Sequence, residues 1–332
     1  MKRVLHRLAI WGENLIQSLI PASKKPPVID PYLGFATETH LVLRGRVLTG
    51  LRRTAPDPLH GSFTNFRQMV GLFLTDEVAD VPVRAVAQNR VVHTDEEGYF
   101  RLDLPREALK PGWHAIPLDI PGQHESEAIA DAMFADPDAQ YGVISDIDDT
   151  LMQTGAYSIL RNLWTSLTGS ALTRHVFPDA VDLIARLHDG RNPIYYVSSS
   201  PWNLHAFLGT VLFSRAKLVR GPLFLRDLGI SSTQFISGTH GDHKGRQIDI
   251  LFEAHPHLQF VLIGDSGQHD AEVYRDAASR WPGRVMQVIL RAADPRPDPA
   301  VALALDELRA MGIPVWTGED YTTVVVPKRP NT

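Results

Sequence analysis

The run from Tyr141 to Thr150, reading Tyr-Gly-Val-Ile-Ser-Asp-Ile-Asp-Asp-Thr, limits the fold of this chain more than any other stretch. Tyr141 to Ser145 is a short apolar run suited to a buried strand. It stops at Asp146, Asp148 and Asp149, with Thr150 behind them. Carboxylates a few ångströms apart repel, and each resists losing water. A buried strand that delivers such a cluster to its carboxyl end needs a cation among the acids. The run therefore predicts a divalent metal and a reaction at phosphate. A calcium loop of the EF-hand kind would place Gly at its sixth position and Glu at its twelfth. Those positions hold Leu151 and Tyr157, which excludes it.

Three later segments also carry chemistry, two of them at the end of an apolar strand and one at the start of a helical pattern. Pro193 to Val197 runs into Ser198-Ser199-Ser200. Gly241-Asp-His-Lys244-Gly-Arg246 opens a helical pattern. Phe260 to Gly264 runs into Asp265-Ser-Gly-Gln-His-Asp270. Gly264-Asp-Ser266-Gly-Gln268 approaches the Gly-x-Ser-x-Gly elbow of serine hydrolases but puts Gln268 where the second glycine belongs. Acid, hydroxyl, lysine and acid, in that order, resemble the haloacid dehalogenase superfamily of phosphotransferases over Tyr141 to Thr317.

That resemblance implies a role for each position. Asp146 would attack phosphorus and form an aspartyl-phosphate, splitting a hard step in two. Magnesium would offset charge and align the groups. Asp148 would protonate the leaving oxygen and then activate water, while its backbone carbonyl holds the metal. Ser198, or its neighbours Ser199 and Ser200, would bond the phosphoryl oxygens, and Lys244 would offset their charge. Asp265 would complete a metal set of Asp146, Asp148, Asp265 and Asp270, with Asp270 orienting metal waters or Lys244. Thr150 would shape the loop or cap the next helix.

Helical patterns at Pro178 to His188, Trp202 to Ala216, Lys244 to Ala254, His269 to Arg280 and Pro299 to Met311 alternate with strands near Ile194, Phe260, Val285 to Leu290 and Val315. The alternation predicts an α/β fold, a doubly wound parallel sheet with ligands at the carboxyl ends of its strands. Gln153 to Phe177 is too long for a simple connection and reads as a small helical cap. Its Leu160, Leu163, Trp164 and Leu167 would pack on the core or cover a greasy substrate.

Upstream, Leu41–Leu48, Val81–Val86, Arg90–His93, Tyr99–Leu104 and Trp113–Leu118 read as short strands, with a hairpin turn at Asp95–Gly98 and one helix over Asn65–Leu74. They predict a small β-sandwich-like domain. The expected division is 1–38 amino-terminal helix and linker, 39–122 β-rich domain, 123–140 connection, and 141–332 phosphatase-like domain. A β-rich domain ahead of Asp-Ile-Asp-Asp-Thr, Val-Ser-Ser-Ser-Pro-Trp and Gly-Asp-Ser-Gly-Gln-His-Asp is similar to the actin-patch-associated phosphatidate phosphatase family. That similarity implies magnesium-dependent conversion of phosphatidate to diacylglycerol. A soluble phosphomonoester as substrate, or a non-enzymatic lipid or protein adaptor that kept the fold, are the other readings. The intact acids and lysine oppose the adaptor.

With no cysteine, the chain has no thiolate metal site and no cysteine nucleophile. A net charge of -5 gives no argument for nucleic acid. No stretch is apolar and long enough to span a bilayer; the expected location is cytoplasmic, with peripheral membrane contact as a further expectation. Met1 to Ile20 sets Val4, Leu8, Trp11, Leu15 and Leu19 on one helical face with Lys2, Arg3 and Arg7 nearby. Such a helix docks on a protein core or lies on a membrane surface. Glu13 and Asn14 interrupt its apolar run and argue against a cleaved signal peptide. His240 and His243 alone are too few ligands to argue for zinc.

Overall fold

A computed structural model describes residues 26–49, 78–106, 109–153, 176–226, 240–267, 269–292 and 298–327. The helices expected over 1–20 and 65–74, and Leu160, Leu163, Trp164 and Leu167 of the expected cap, lie outside the described residues.

The first half is built from β1 (Pro27–Pro31), β2 (Gly34–Ala36), β3 (His40–Thr49), β4 (Pro82–Ala85), β5 (Arg90–His93), β6 (Tyr99–Pro105), β7 (Gly112–Ile120) and β8 (Gln123–Phe134). They form one mixed sheet rather than the two sheets of a sandwich. The reason lies in β3. Its ten residues pair along one edge with β1 and then β2, and along the other with β6. The sheet therefore branches and curls around a core of Leu43, Val47, Val83, Leu102, Leu118 and Ala130. Asp95–Gly98 does turn tightly, with Gly98 N–H donating to the Asp95 carbonyl and Gly98 at φ 76°. Its two arms nonetheless pair elsewhere, β5 with β4 and β6 with β3.

Two boundaries need correction. The segment 123–140 is no connection: Gln123–Phe134 is the longest strand of the sheet, joined to β7 over Gly112–Ile120. The β-rich unit also reaches back into 1–38, since β1 and β2 lie there.

The second half is a six-stranded parallel sheet of β9 (Gly142–Asp146), β10 (Ile194–Pro201), β11 (Leu223–Arg226), β12 (Phe260–Asp265), β13 (Val285–Arg291) and β14 (Val315–Gly318), in the order β11-β10-β9-β12-β13-β14. The edge strand β11 escapes the sequence reading because four residues carry little periodicity. Between the strands lie α1 (Pro178–His188), α2 (His205–Gly209), α3 (His240–Ala254), α4 (Asp270–Arg280) and α5 (Pro299–Ala310). Alternate strand residues face opposite ways. Val143, Tyr196 and Ile263 meet α1 and α2 in one core; Ile144, Tyr195 and Leu262 meet α3, α4 and α5 in another. Helices thus cover both faces.

Helix α1 shows the local logic. Proline occupies its first turn, where no N–H is needed. Ala180, Leu183, Ile184 and Leu187 recur at helical spacing and are buried, and Asp189 ends the helix in the left-handed region. The helix expected over Trp202–Ala216 is broken. A 3₁₀ turn at Trp202–Leu204 leads into α2, and a π turn follows at Thr210–Arg215. The Thr210 hydroxyl donates to the Ala206 carbonyl, a bond that bends helices locally.

The two sheets share a core. Along β3, Leu41, Leu43 and Val47 face the inside of the curled sheet while Val42 faces out. Val42, Phe35 and Met133 pack with Tyr195, Val197 and Phe224 of the parallel sheet. Tyr32 stacks face to face on Trp202 at 4.5 Å, and the Arg44 guanidinium lies 4.3 Å from the Phe224 ring. Because Phe35 is buried between both sheets, Phe35→Ala should cost about 3–5 kcal/mol. It should lower a single cooperative transition reported by both halves in chemical denaturation. Two separated transitions in the wild type would overturn the shared core.

Candidate active site

The parallel order places β9 between β10 and β12, where the chain turns from building one side of the sheet to the other. Ligands in such sheets bind at that switch point, beyond the carboxyl ends of the strands. Three sequence-predicted groups converge there. Asp146 ends β9 opposite Val197, Ser198 follows Val197 on β10, and Asp265 ends β12. Lys244 joins them from α3 and Asp270 from the first turn of α4.

The chain after β9 doubles back at once. Asp149 takes φ 55°, a left-handed conformation that Asp tolerates better than most residues. Its N–H donates to the Met152 carbonyl. This turn lets the Thr150 hydroxyl donate to Asp146 Oδ2 at 3.1 Å. Thr150 therefore shapes the acid loop and does not cap a helix there.

Asp146, Asp148, Lys244, Asp265 and Asp270 are all buried. Lys244 Nζ stands 2.8 Å from Asp146 Oδ1 and 2.5 Å from Asp270 Oδ1. Asp270 Oδ2 accepts the backbone N–H of Asp265 at 3.1 Å, and Asp265 Oδ2 accepts that of Gly267 at 2.7 Å. Carboxylate oxygens of Asp146, Asp265 and Asp270 lie within 4.8 Å of one another. Asp148 is outside that trio: its Oδ2 accepts from Ser198 Oγ at 2.7 Å and from Ser200 Oγ at 3.4 Å. Its carboxylate thus turns to the serines, as suits an acid and base whose expected metal contact is its backbone carbonyl. Ser198 also accepts the N–H of Ser200 at 3.0 Å, which fixes the irregular end of β10.

Close approach of Asp270 explains a glycine. A Cβ on Gly264 would lie 2.8 Å from Asp270 Cβ and from Tyr274 Oη. Tyr274 in turn donates to the Ile263 carbonyl at 2.7 Å, locking α4 to β12.

Four carboxylates and one ammonium in a buried space leave uncompensated negative charge. Burial raises the Asp148 carboxyl to about 6, against the hydrogen bond from Ser198. Burial and then Asp270 push Asp265 up to about 7. Asp146 is also raised, chiefly by burial, with Lys244 opposing. Burial would lower Lys244, but Asp146 and Asp270 outweigh it and hold its charge. Asp265 Oδ1 is buried and accepts no hydrogen bond among the described residues. An acceptor oxygen of that kind, beside two more carboxylates, fits a hard divalent cation. Asp146, Asp265 and Asp270 are the residues that could hold it.

Sequence reasoning missed Arg291, Asp179 and Tyr321, which brace the acid loop from behind. The available signal was the charge that closes the apolar run Val285–Arg291.

Raised carboxyl groups bind protons in the folded chain that the unfolded chain has already released between about pH 4 and 7. Metal-free protein should therefore lose stability as pH rises through that window, by up to about 1.4 kcal/mol per pH unit for each group. Added divalent cation should flatten the slope. Denaturant midpoints at pH 5 and pH 8, with and without the cation, check this; a metal-free midpoint that rises with pH would contradict it.

Residues 141–292 match the family model described as phosphatidate phosphatase APP1, catalytic domain. Among curated proteins, phosphatidate phosphatase APP1 of Saccharomyces cerevisiae is 28% identical over 201 residues, which cover 60% of this chain and 34% of that protein. An uncharacterized protein of Schizosaccharomyces pombe is 22% identical over 229 residues, 67% of this chain and 37% of that one. The match thus spans well under half of either relative. Among solved structures, a phosphoserine phosphatase from T. onnurineus shares 14% identity, covering 56% of this chain and 93% of that chain at a TM-score of 0.31. A chain of a Pnkp1/Rnl/Hen1 complex shares 14%, covering 47% of each at a TM-score of 0.32. Scores this low carry no argument. Over residues 141–292, which hold Asp146, Asp148, Ser198, Lys244, Asp265 and Asp270, this chain is similar to the catalytic domain of the phosphatidate phosphatase APP1 family.

Proposed function

We propose that this protein is a magnesium-dependent phosphatase of haloacid dehalogenase type that hydrolyses phosphatidate to diacylglycerol and phosphate at a membrane surface. The observation that carries the reading is the buried trio Asp146, Asp265 and Asp270 around Lys244, at the switch point of a parallel sheet. The similarity of 141–292 to a phosphatidate phosphatase catalytic domain supports the substrate class.

When bound by Asp146, Asp265 and Asp270, with the Asp148 carbonyl as the resemblance implies, magnesium would offset phosphoryl charge. Asp146 attacks phosphorus and takes the phosphoryl group as an aspartyl-phosphate. Its Oδ2 is fixed by Thr150, which leaves Oδ1 on the Lys244 side. Asp148 carries the proton that the departing glycerol oxygen needs, because burial holds its carboxyl near 6, so a minor share stays protonated just below neutrality, far more than an ordinary aspartate keeps. Once ionised, it takes a proton from the water that opens the aspartyl-phosphate. Ser198 and Ser200 aim the Asp148 carboxylate in the free site; when substrate enters, the single proton of Ser198 turns to a phosphoryl oxygen while Ser200 keeps Asp148. Lys244 stays charged and stabilises the same oxygens. Asp270 holds Lys244 in place.

Purified protein should release phosphate from phosphatidate vesicles with magnesium, and lose that activity with a chelator. Asp146→Asn should fold and abolish turnover. Asp148→Asn should lower it by about 10²–10⁴-fold. Full activity in Asp146→Asn would end the aspartyl-phosphate mechanism. Turnover of soluble phosphomonoesters with phosphatidate ignored would move the substrate and leave the phosphatase reading standing.

A further inference from the structure

We infer that Arg291 is a positioning residue that holds the two acid-bearing loops in register, so that Asp146 and Asp265 face one cation. This rests on the metal-dependent reading above. Arg291 closes β13 directly opposite Asp265 of β12. Its carbonyl accepts the N–H of Ser266 at 2.9 Å, tying down the loop after Asp265. Its side chain reaches the other loop. Nε donates to the Thr150 carbonyl at 3.2 Å, and the hydroxyl of the same Thr150 holds Asp146 Oδ2. One residue thus grips both loops, the first with its side chain and the second with its backbone.

The guanidinium is over-determined. Nη1 donates to the Glu319 carbonyl and Nη2 to Asp179 Oδ2, both at 2.6 Å. Its Cζ lies over the Phe177 ring at 4.1 Å and over the Tyr321 ring at 4.2 Å. Asp179 Oδ2 also accepts the Tyr321 N–H, and the Tyr321 hydroxyl reaches the Thr150 carbonyl at 3.4 Å. Arg291 is 8% exposed. A buried ion pair seldom adds stability over an apolar substitute of similar size, so core packing alone gives little reason for arginine here. Aiming three donors at three acceptors is a task for a rigid fork, which lysine lacks. Groups that orient metal-holding acids from behind commonly cost 10–100-fold in metal affinity when removed.

The rival explanation is that Arg291 merely fastens the segment after β14. Arg186 separates the two, because it bonds the Val324 and Tyr321 carbonyls at 2.9 and 3.1 Å and, among the described residues, makes no direct bond to either acid loop. Magnesium affinity is read by calorimetric titration of the full chain, well below the melting temperature, for wild type, Arg291→Met, Arg291→Lys and Arg186→Met. Vesicle-phosphatidate kcat and KM are measured alongside. Arg291→Met should weaken magnesium binding about 10–100-fold and lower kcat with KM little changed. Arg291→Lys should fall between and serves if the Met variant is too unstable to titrate. Arg186→Met should lose stability and keep its magnesium affinity. Unchanged affinity in both Arg291 variants, or an equal loss in Arg186→Met, overturns the inference. Wild-type protein that binds no magnesium overturns the metal reading instead, before any variant is compared. Binding that weakens in Arg291→Met while no variant hydrolyses phosphate supports the inference and removes only the proposed reaction.

Discussion

A single buried ammonium set among carboxylates governs this structure. Lys244 stands between Asp146 and Asp270, and Asp265 and Asp148 lie close by under the same burial. Like charges in a poorly solvated space repel, and the carboxyl groups respond by holding protons above their ordinary range. Such a site survives only where the surrounding backbone is fixed firmly enough to stop the acids from moving apart or out to water. Much of the second half of the chain serves that end.

The fixing is done by backbone as much as by side chain. Asp270 is oriented by a peptide N–H from the strand it faces, and Asp265 by one from its own loop. Gly264 makes room for that approach. Left-handed backbone at Asp149 and at His269, just ahead of α4, lets both acid loops turn sharply off the sheet. Strain of that sort is kept only where the packing around it is dense. Here buried aromatic and branched residues cover both faces of the sheet beneath it.

The β-rich sheet takes part in this support. Tyr32 stacks on Trp202, two residues beyond Ser200, and Arg44 lies against the Phe224 and Trp202 rings. The serine-bearing end of β10 that bonds Asp148 is therefore backed by side chains from the first half of the chain. Beads on a linker would not have this arrangement. With Phe35, Val42 and Met133 in the same core as Tyr195 and Val197, the two halves are coupled through packing.

Sequence alone determined the parallel sheet, most helix positions and the identity of the acids, hydroxyl and lysine. These follow from local rules: apolar runs end in chemistry, and helices begin at Pro or Asp and end near Gly. It also led to the expectation of a compensating cation, because repulsion among neighbouring acids requires no coordinates to foresee. Only the tertiary structure decided which acids meet. Asp148 points to Ser198 and Ser200 while Asp270, 124 positions beyond Asp146 in the chain, shares Lys244 with it. It alone decided that Gln123–Phe134 is a strand, since its partner Gly112–Ile120 supplies the bonds that its composition does not advertise. Arg291 was invisible for the same reason. A lone arginine at a strand end has no periodicity, and its meaning arises only when Thr150, Asp179, Phe177 and Tyr321, spread over more than half of the chain, close around it.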